Sequence, residues 1–373
     1  MYFLDAIDDY NNHKPEEFLS SEYEVLCRVH LTGVIDFGFM YMQFWEIPPD
    51  AEKYKNKYDV RAVYLKTLTL KTDVEKESKE TEAEKESEKK EEYYFPGGFP
   101  GEIVTLLTLF TRTHFVLSRS IRSGNILIMQ KFADEVDVAR GQTDGKQLVL
   151  GDLMQYFSMF QGLRNLEIYG KKKRLEAFMF AARFYYLGYS LIEKDSTIAY
   201  LAFVSSIEAL LHDYDVDKFT LEEWNENATK LIRNSMNEEQ CEELRRAVIT
   251  KPIKIKRRFI SFVKEHLTDK YWADSTRPTE EWLRFKDLSE IEMYLKRIYD
   301  ARSLAVHSGE VFPPTFGKMN EERPLGLGIK SGTKEWIEKE LIPPVRTFER
   351  MVHHVLMEYL IKQSKIGFDS LKK

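Results

Sequence analysis

The chain has 373 residues, of which 43% are hydrophobic and 31% charged, with only 12 Pro and 18 Gly. These values are typical of a globular protein and exclude a collagen-like or Gly/Pro-rich chain, while the length favours two domains over one. The formal net charge of -6 argues against a protein that coats nucleic acid non-specifically over its whole surface, but it leaves room for a local basic site.

Cysteine usage and the apolar runs bear on the compartment. Cys27 and Cys241 are too few and too far apart for a disulfide framework or a cysteine-based zinc site. The first residues, MYFLDAIDDYNN, are acidic where a signal peptide is basic. The longest apolar runs are interrupted by polar residues and fall short of the roughly 18 to 20 residues of a membrane span. We therefore expect a cytoplasmic protein with no membrane partner.

Residues 1–145 are predicted to form a β-rich domain. The run from Tyr23 to Trp45 is rich in Val, Ile, Phe and Tyr, and the run from Tyr58 to Leu70 alternates apolar and polar residues, as strands do. Residues 71–92 carry ten acids and six lysines, with only Val74 and Ala83 apolar. Such a segment cannot bury a core, so we expect a disordered or solvated helical insertion. We expect the domain to act as a sensor or regulatory module.

The segment 141–151 is polar and rich in glycine, which indicates a domain boundary. Residues 146–373 are predicted to form a helical domain. Apolar residues recur at spacings of three and four over 175–189 and 200–211, which indicates two helices inside a bundle, the second capped by Asp195 or Ser196. Further helices are predicted over 221–233, 238–248, 256–266, 288–306 and 345–361. The predicted fold is α+β, a β-rich N-terminal domain followed by an all-α bundle.

The predicted helix that ends near residue 307 carries an arginine where a core residue is expected. Its apolar line is Leu288, Ile291, Leu295, Ile298 and Ala305, and Arg302 occupies the position between the last two. A buried guanidinium is costly unless an anion compensates it, so we expect Arg302 to meet a carboxylate, backbone carbonyls, a subunit interface or a phosphate. His307 follows about 140° further round the helix, so the two side chains diverge.

This region resembles the HEPN superfamily of helical bundles, and in particular its ApeA-like branch. The family's last core helix carries R-x4 to 6-H, and this chain has IYDARSLAVHSG, with Arg302, Ser303 and His307 at the matching places. The stretch RFYYLGYSLIEKDSTIAYLAFVSSIEALL (183–211) is similar to the family's first helical hairpin. One departure is Ser303, since family nucleases commonly have Asn, Asp or His after the arginine.

The resemblance implies a metal-independent endoribonuclease that acts as a homodimer and needs no cofactor. The residue types suit that chemistry, since His307 can act as general acid/base on the 2'-hydroxyl and Arg302 can stabilise charge on the phosphate. Because the two side chains diverge on one helix, a two-fold axis would bring both pairs into one cleft. The expected products are a 2',3'-cyclic phosphate and a 5'-hydroxyl. The resemblance also implies a role in phage defence or as a toxin, with an antitoxin or a phage-derived trigger as partner.

Less specific interpretations remain open for these residues. Arg302 could pair with a buried carboxylate such as Glu208 at an interface, with His307 as a helix C-cap, and Glu208 suits a structural partner better than a general base. Asp300 and Ser303 either orient His307 or contact substrate, or they belong to a solvated helix face. The alternative function is a non-catalytic HEPN module that binds RNA, a nucleotide or a partner protein.

Two basic clusters are candidates for RNA contacts, because such clusters position phosphates without reading sequence. Solvated helix starts are the other interpretation of both. No motif indicates a metal site, because His353 and His354 point about 100° apart on a helix and no carboxylate pattern surrounds them. The clusters are Lys171, Lys172, Lys173 and Arg174 in one, and Lys251, Lys254, Lys256, Arg257 and Arg258 in the other.

Overall fold

The computed structural model describes residues 2–28, 31–44, 60–71, 96–131, 150–163, 174–211, 214, 237–241, 243, 251–310, 312–313, 321–324, 329–331, 334–337 and 340–370. Within these ranges the side chains of 129–131, 251–254, 329–331, 334–335 and 366–370 are not described. The predicted charged insertion beyond Lys71, the predicted boundary at residue 145, the helix predicted over 221–233 and most of the one predicted over 238–248 lie outside the described residues.

The chain folds as a mixed α+β protein with two compact units. The first unit comprises Met1–Ala199 and Tyr359–Lys373, and the second comprises Tyr200–Glu358. The division falls inside two helices, so each unit takes part of both.

A six-stranded sheet forms one layer of the first unit. Its strands are β1 (Phe18–Cys27), β2 (Gly33–Asp36), β3 (Met40–Phe44), β4 (Arg61–Leu70), β5 (Val116–Ser123) and β6 (Ile126–Lys131). They lie in the order β2-β3-β4-β1-β5-β6, and every adjacent pair is antiparallel. β1 and β4 pair over their full length, from Phe18 opposite Leu70 to Cys27 opposite Arg61. The strands predicted within 23–45 and 58–70 are thus confirmed.

Among the described residues, the helices that lie wholly in the first unit are α1 (Tyr2–Asn12), α2 (Gly98–Thr111), α3 (Leu150–Gly162) and α4 (Arg174–Leu191). α1 and α2 pack on the sheet, and α2 also contacts α4. Phe3 of α1 is fully buried, with its ring centroid 5.3 Å from that of Phe160 and 5.5 Å from that of Phe39. Aromatic side chains from helices and strands therefore make one core, since such rings bury large areas.

Helix α2 was not predicted from the sequence. It begins after Gly97, whose φ of 81° suits glycine, and Pro100 lies in its first turn. Twelve of its fourteen residues are buried. A helix surrounded by protein on all sides has no polar face, so the 3.6-residue alternation that would reveal it is absent.

The second unit is dominated by helices α5 (Ser196–Glu208), α6 (Lys251–His266), α7 (Asp269–Trp272), α8 (Leu288–Ser308) and α9 (Val345–Ser370). The predictions for α4, α5, α6, α8 and α9 are confirmed as helices. Asp195 is the N-cap of α5, because its Oδ1 accepts a hydrogen bond from the Ile198 N–H at 3.0 Å.

A short antiparallel hairpin corrects the expectation of an all-α second half. Its strands are β7 (Ile329–Ser331) and β8 (Lys334–Trp336), paired from Ile329 opposite Trp336. A strand of three residues is too short for an alternation of apolar and polar residues to be recognised in the sequence.

A buried charge network joins α9 to the loops beside it in the second unit. Glu322 is 0% exposed and accepts hydrogen bonds from Arg277 at 2.8 and 2.9 Å, from Arg350, and from the Phe285 N–H at 2.6 Å. The guanidinium of Arg277 also lies 5.0 Å from the ring centroid of Trp272. A buried carboxylate needs such compensation, so the network fixes these segments to one another.

None of the described helices is both long enough and apolar enough to cross a lipid bilayer.

Candidate functional site

Helix α8 carries the predicted catalytic residues, and both of its ends are fixed locally. Asp287 caps its start by accepting hydrogen bonds from the N–H groups of Ser289 and Glu290 at 2.8 and 2.9 Å. The Ser289 contact and the Glu290 N–H lower the pKa of the Asp287 carboxyl. Gly309 ends the helix in the left-handed conformation with φ 64°, and its N–H bonds to the carbonyl of Leu304. The helix therefore ends at Ser308, one residue after His307.

Arg302 is ion-paired with Glu208, the last residue of α5. Its Nη2 lies 2.7 Å from Oε2 of Glu208, and the two side chains are 22% and 19% exposed. The apolar line that precedes Arg302 is buried at Ile291, Leu295 and Ile298. The carboxylate partner that the sequence suggested for Arg302 is therefore present, and the guanidinium lies at the edge of the core, still accessible to solvent.

Tyr299 completes this cluster from one helical turn before Arg302. Its hydroxyl donates to Oε1 of Glu208 at 2.9 Å, and the guanidinium carbon of Arg302 lies 5.8 Å from its ring centroid. Burial, followed by the negative charge of Glu208, raises the pKa of the Tyr299 hydroxyl well above its ordinary value. Tyr299 therefore remains a hydrogen-bond donor at neutral pH.

The contact of Tyr299 with Glu208 was not predicted from the sequence. The signal in the sequence was the spacing of three residues between Tyr299 and Arg302, which puts both side chains on one side of the helix.

Helix α6 packs against α8 in the antiparallel direction. The Nζ of Lys256 lies 2.6 and 2.8 Å from the two carboxylate oxygens of Asp300, and Lys264 pairs with Glu292. Between these ion pairs, the ring centroids of Phe259 and Tyr299 lie 5.3 Å apart. Because eight residues separate the two pairs on each helix, moving toward the start of α6 means moving toward the end of α8.

This register brings two separately predicted segments together. The basic run of 251–258 forms the first half of α6, and its member Lys256 contacts Asp300, two residues before Arg302 on α8. In this ion pair the charges of Lys256 and Asp300 neutralise each other. On one helix, Asp300 is about 10 Å from His307 along the axis, so the role of orienting His307 suits it poorly.

His307 and Ser303 are the accessible members of the site. His307 is exposed in the last turn of α8, and Ser303 is half-buried one turn before it. In the stretches that the structure describes, neither side chain makes a hydrogen bond to another residue. The imidazole is therefore presented to solvent at the end of the helix.

The other residues predicted to contact RNA are only partly described by the structure. Arg174 lies at the start of α4 and donates to Oε1 of Gln363, while Lys171, Lys172 and Lys173 lie outside the described residues. Lys251 and Lys254 belong to α6, with side chains outside the description, and Arg257 and Arg258 are half-buried on the same helix.

The described residues contain no group of three or more His, Cys, Asp or Glu side chains that could hold a metal ion.

Comparisons with protein-family models, with curated protein sequences and with solved structures find no match to this chain.

Proposed function

We propose that the protein is a metal-independent endoribonuclease of HEPN type, with the site at the end of α8. The observation that carries the proposal is the register of α6 against α8, which aligns a basic run with the helix end bearing Arg302 and His307. Basic side chains position a phosphate backbone, and an exposed imidazole on the same end of α8 as a guanidinium can then act on it. The resemblance of IYDARSLAVHSG to the HEPN motif supports the same reading.

The residues have separate tasks in the proposed reaction. His307 takes the proton from the 2'-hydroxyl, because imidazole is the side chain whose ordinary pKa lies nearest neutrality. The 2'-oxygen then bonds to phosphorus while the bond from phosphorus to the 5'-oxygen breaks, and that oxygen takes a proton from an imidazolium. Arg302 stabilises the negative charge that develops on the phosphate. The products are a 2',3'-cyclic phosphate and a 5'-hydroxyl, so DNA is not a substrate.

The proposal extends to the assembly and its setting. A homodimer would place both copies of Arg302 and His307 about one two-fold axis, which the divergence of the two side chains on one helix favours. We expect a cytoplasmic protein from its cysteine usage and N-terminal residues, and a β-rich N-terminal module that senses or regulates from the domain architecture. The resemblance implies a role in phage defence or as a toxin, with an antitoxin or a phage-derived trigger as partner.

Incubation of purified protein with total RNA in EDTA tests the proposal. We expect cleavage by the wild type, fragment ends that carry a cyclic phosphate, and loss of at least about 100-fold in rate for His307→Ala. Val306→Ala is the matched control, since Val306 is also exposed and adjacent on α8. Equal cleavage by the wild type and by His307→Ala would remove the catalytic role of His307.

A second candidate is a non-catalytic module that binds RNA, a nucleotide or a partner protein. The ion pair between Arg302 and Glu208 favours it, because a guanidinium already neutralised by a carboxylate has less charge to offer a transition state. In the same experiment this candidate predicts RNA binding without any cyclic-phosphate ends.

A further inference from the structure

Glu208 distributes its two carboxylate oxygens between two donors. Oε2 accepts from Nη2 of Arg302 at 2.7 Å, and Oε1 accepts from the hydroxyl of Tyr299 at 2.9 Å. A carboxylate that faces arginine alone commonly takes two parallel N–H donors at once, because the spacing of its oxygens matches the guanidinium fork. The tyrosine hydroxyl takes one of the two acceptor positions of the oxygen that such a paired contact would need, and so competes with that contact.

The consequence for Arg302 is that most of its donors are uncommitted. A guanidinium has five N–H groups, and within the described residues the contact from Nη2 to Glu208 is the one hydrogen bond that Arg302 makes. The side chain is 22% exposed, so solvent or a ligand can reach it. A phosphate is the ligand whose oxygens suit the remaining edge of the fork.

We propose that Tyr299 is a positioning residue for Arg302: by binding Oε1 of Glu208, it favours a single contact between the carboxylate and the guanidinium and keeps one further N–H of Arg302 available to an RNA phosphate. The inference rests on the proposed function, because it takes RNA as the ligand of Arg302. It assigns to Tyr299 a role in RNA affinity that neither Glu208 nor Arg302 could supply alone.

The surroundings of Tyr299 fix its hydroxyl in this place. Its ring is 7% exposed and packs on Phe259 of α6, with the guanidinium of Arg302 at cation–π distance. The phenol is protonated at neutral pH, as its raised pKa requires, so it can only donate to the carboxylate. Loss of the hydroxyl would leave Oε1 without this donor and free to turn toward Arg302.

The experiment is a double-mutant cycle on RNA affinity. The probe is a fluorescein-labelled single strand of 2'-O-methyl RNA, which cannot be cleaved through the 2'-oxygen, and binding is followed by anisotropy. We expect Tyr299→Phe to weaken binding about fivefold, the usual effect of one hydrogen bond. In the Glu208→Gln background, where an amide cannot form the paired ionic contact, the same change is expected to have no effect.

Two controls separate this role from a general loss of structure. Tyr294→Phe removes a hydroxyl from the same helix and should leave affinity unchanged, and thermal unfolding of each variant reports on folding. A second cycle in the Arg302→Lys background should also abolish the effect of Tyr299→Phe, because an ammonium has no fork to engage. The second cycle therefore tests the role of Tyr299 without any substitution at Glu208.

Each outcome has one meaning. Equal losses for Tyr299→Phe in the wild-type and Glu208→Gln backgrounds would indicate a merely structural role and overturn the inference. Wild-type affinity in Tyr299→Phe would also overturn it, while leaving the proposed function in place. A wild-type protein that neither binds the probe nor cleaves RNA would refute the proposed function itself, and the inference with it.

Discussion

Lys256 and Asp300 form an ion pair that fixes the direction in which α6 lies along α8, with the lysine Nζ 2.6 and 2.8 Å from the two carboxylate oxygens. The pair is open to solvent, since the side chains are 32% and 59% exposed. An exposed pair of this kind adds at most about 1 kcal/mol to stability. Its main effect on the proposed site is electrostatic, because Asp300, two residues before Arg302 on α8, cancels the charge of Lys256.

Replacement of Asp300 by Asn is predicted to strengthen RNA binding. Removal of the carboxylate releases Lys256 to contact phosphate, so we expect affinity to rise about two- to fivefold and the salt dependence to steepen by about one released counterion. Anisotropy titrations at two salt concentrations measure both quantities. Glu292→Gln is the matched control, since it removes a carboxylate at the far end of the same helix pair and should alter affinity less. A drop in affinity for Asp300→Asn would contradict the placement of RNA along α6.

Replacement of Glu208 by Ala is predicted to destabilise the protein. Arg302 and Tyr299 would both lose an acceptor in a partly buried environment, so we expect the free energy of unfolding to fall by about 1 to 3 kcal/mol. Urea denaturation followed by circular dichroism measures the change. Glu281→Ala serves as the control, because that carboxylate is exposed in the short 3-10 helix Glu281–Leu283 before α8. Equal stability in the two variants would show that the cluster at Arg302 contributes nothing to the fold.

Replacement of Glu322 by Ala should be the most damaging of these changes. Two buried guanidinium groups, those of Arg277 and Arg350, would be left without their shared carboxylate. Removal of one partner from a buried ion pair costs about 3 to 5 kcal/mol, so we expect a large loss of unfolding free energy or an insoluble protein. The paired change of Arg277 and Arg350 to Met in the Glu322→Leu background should recover part of the loss, since a wholly apolar core carries no uncompensated charge.

The free energy of unfolding at acidic pH is predicted to depend on the carboxyl group of Glu292. The hydrogen bond from Lys264, followed by that from Lys296, lowers the pKa of the Glu292 carboxyl below its ordinary 4.5. A carboxyl whose pKa is lower in the folded state stabilises the fold above its unfolded pKa, and this contribution disappears as the pH falls through the folded pKa. The difference in unfolding free energy between the wild type and Glu292→Gln should thus be constant near neutrality and shrink below pH 4.5. A difference that grows on acidification would contradict the assignment.

The features of α8 that could be predicted are those that depend on nearby residues. The apolar spacing indicated the helix, Gly309 indicated its end, and the intrusion of Arg302 on the apolar line indicated a carboxylate partner, with Glu208 among the candidates. These inferences need only the 3.6-residue period and the cost of burying a charge. The catalytic roles of Arg302, Ser303 and His307 remain predictions that the RNA experiments address.

The features that could not be predicted depend on packing between distant segments. The pairing of Lys256 with Asp300 follows from the antiparallel contact of α6 and α8, and no local pattern in either helix specifies its partner or its direction. Helix α2 escaped recognition because protein covers it on nearly every side. The network at Glu322 joins residues 28 to 45 positions apart in the sequence, so its members could not be matched by spacing.

The dependence of both units on α9 has a consequence for synthesis of the chain. Glu322 gains its second guanidinium only when Arg350 has been made, and Phe178 of the first unit stacks on Tyr359 with ring centroids 6.3 Å apart. Because proteins emerge from the ribosome N-terminus first, the charge network of the second unit cannot be completed before Arg350 has been made, and the aromatic stack of the first unit cannot form before Tyr359 has been made. Arg302 and His307 are thus translated before these contacts of α9 can form, so we expect the proposed ribonuclease activity only after α9 has been made.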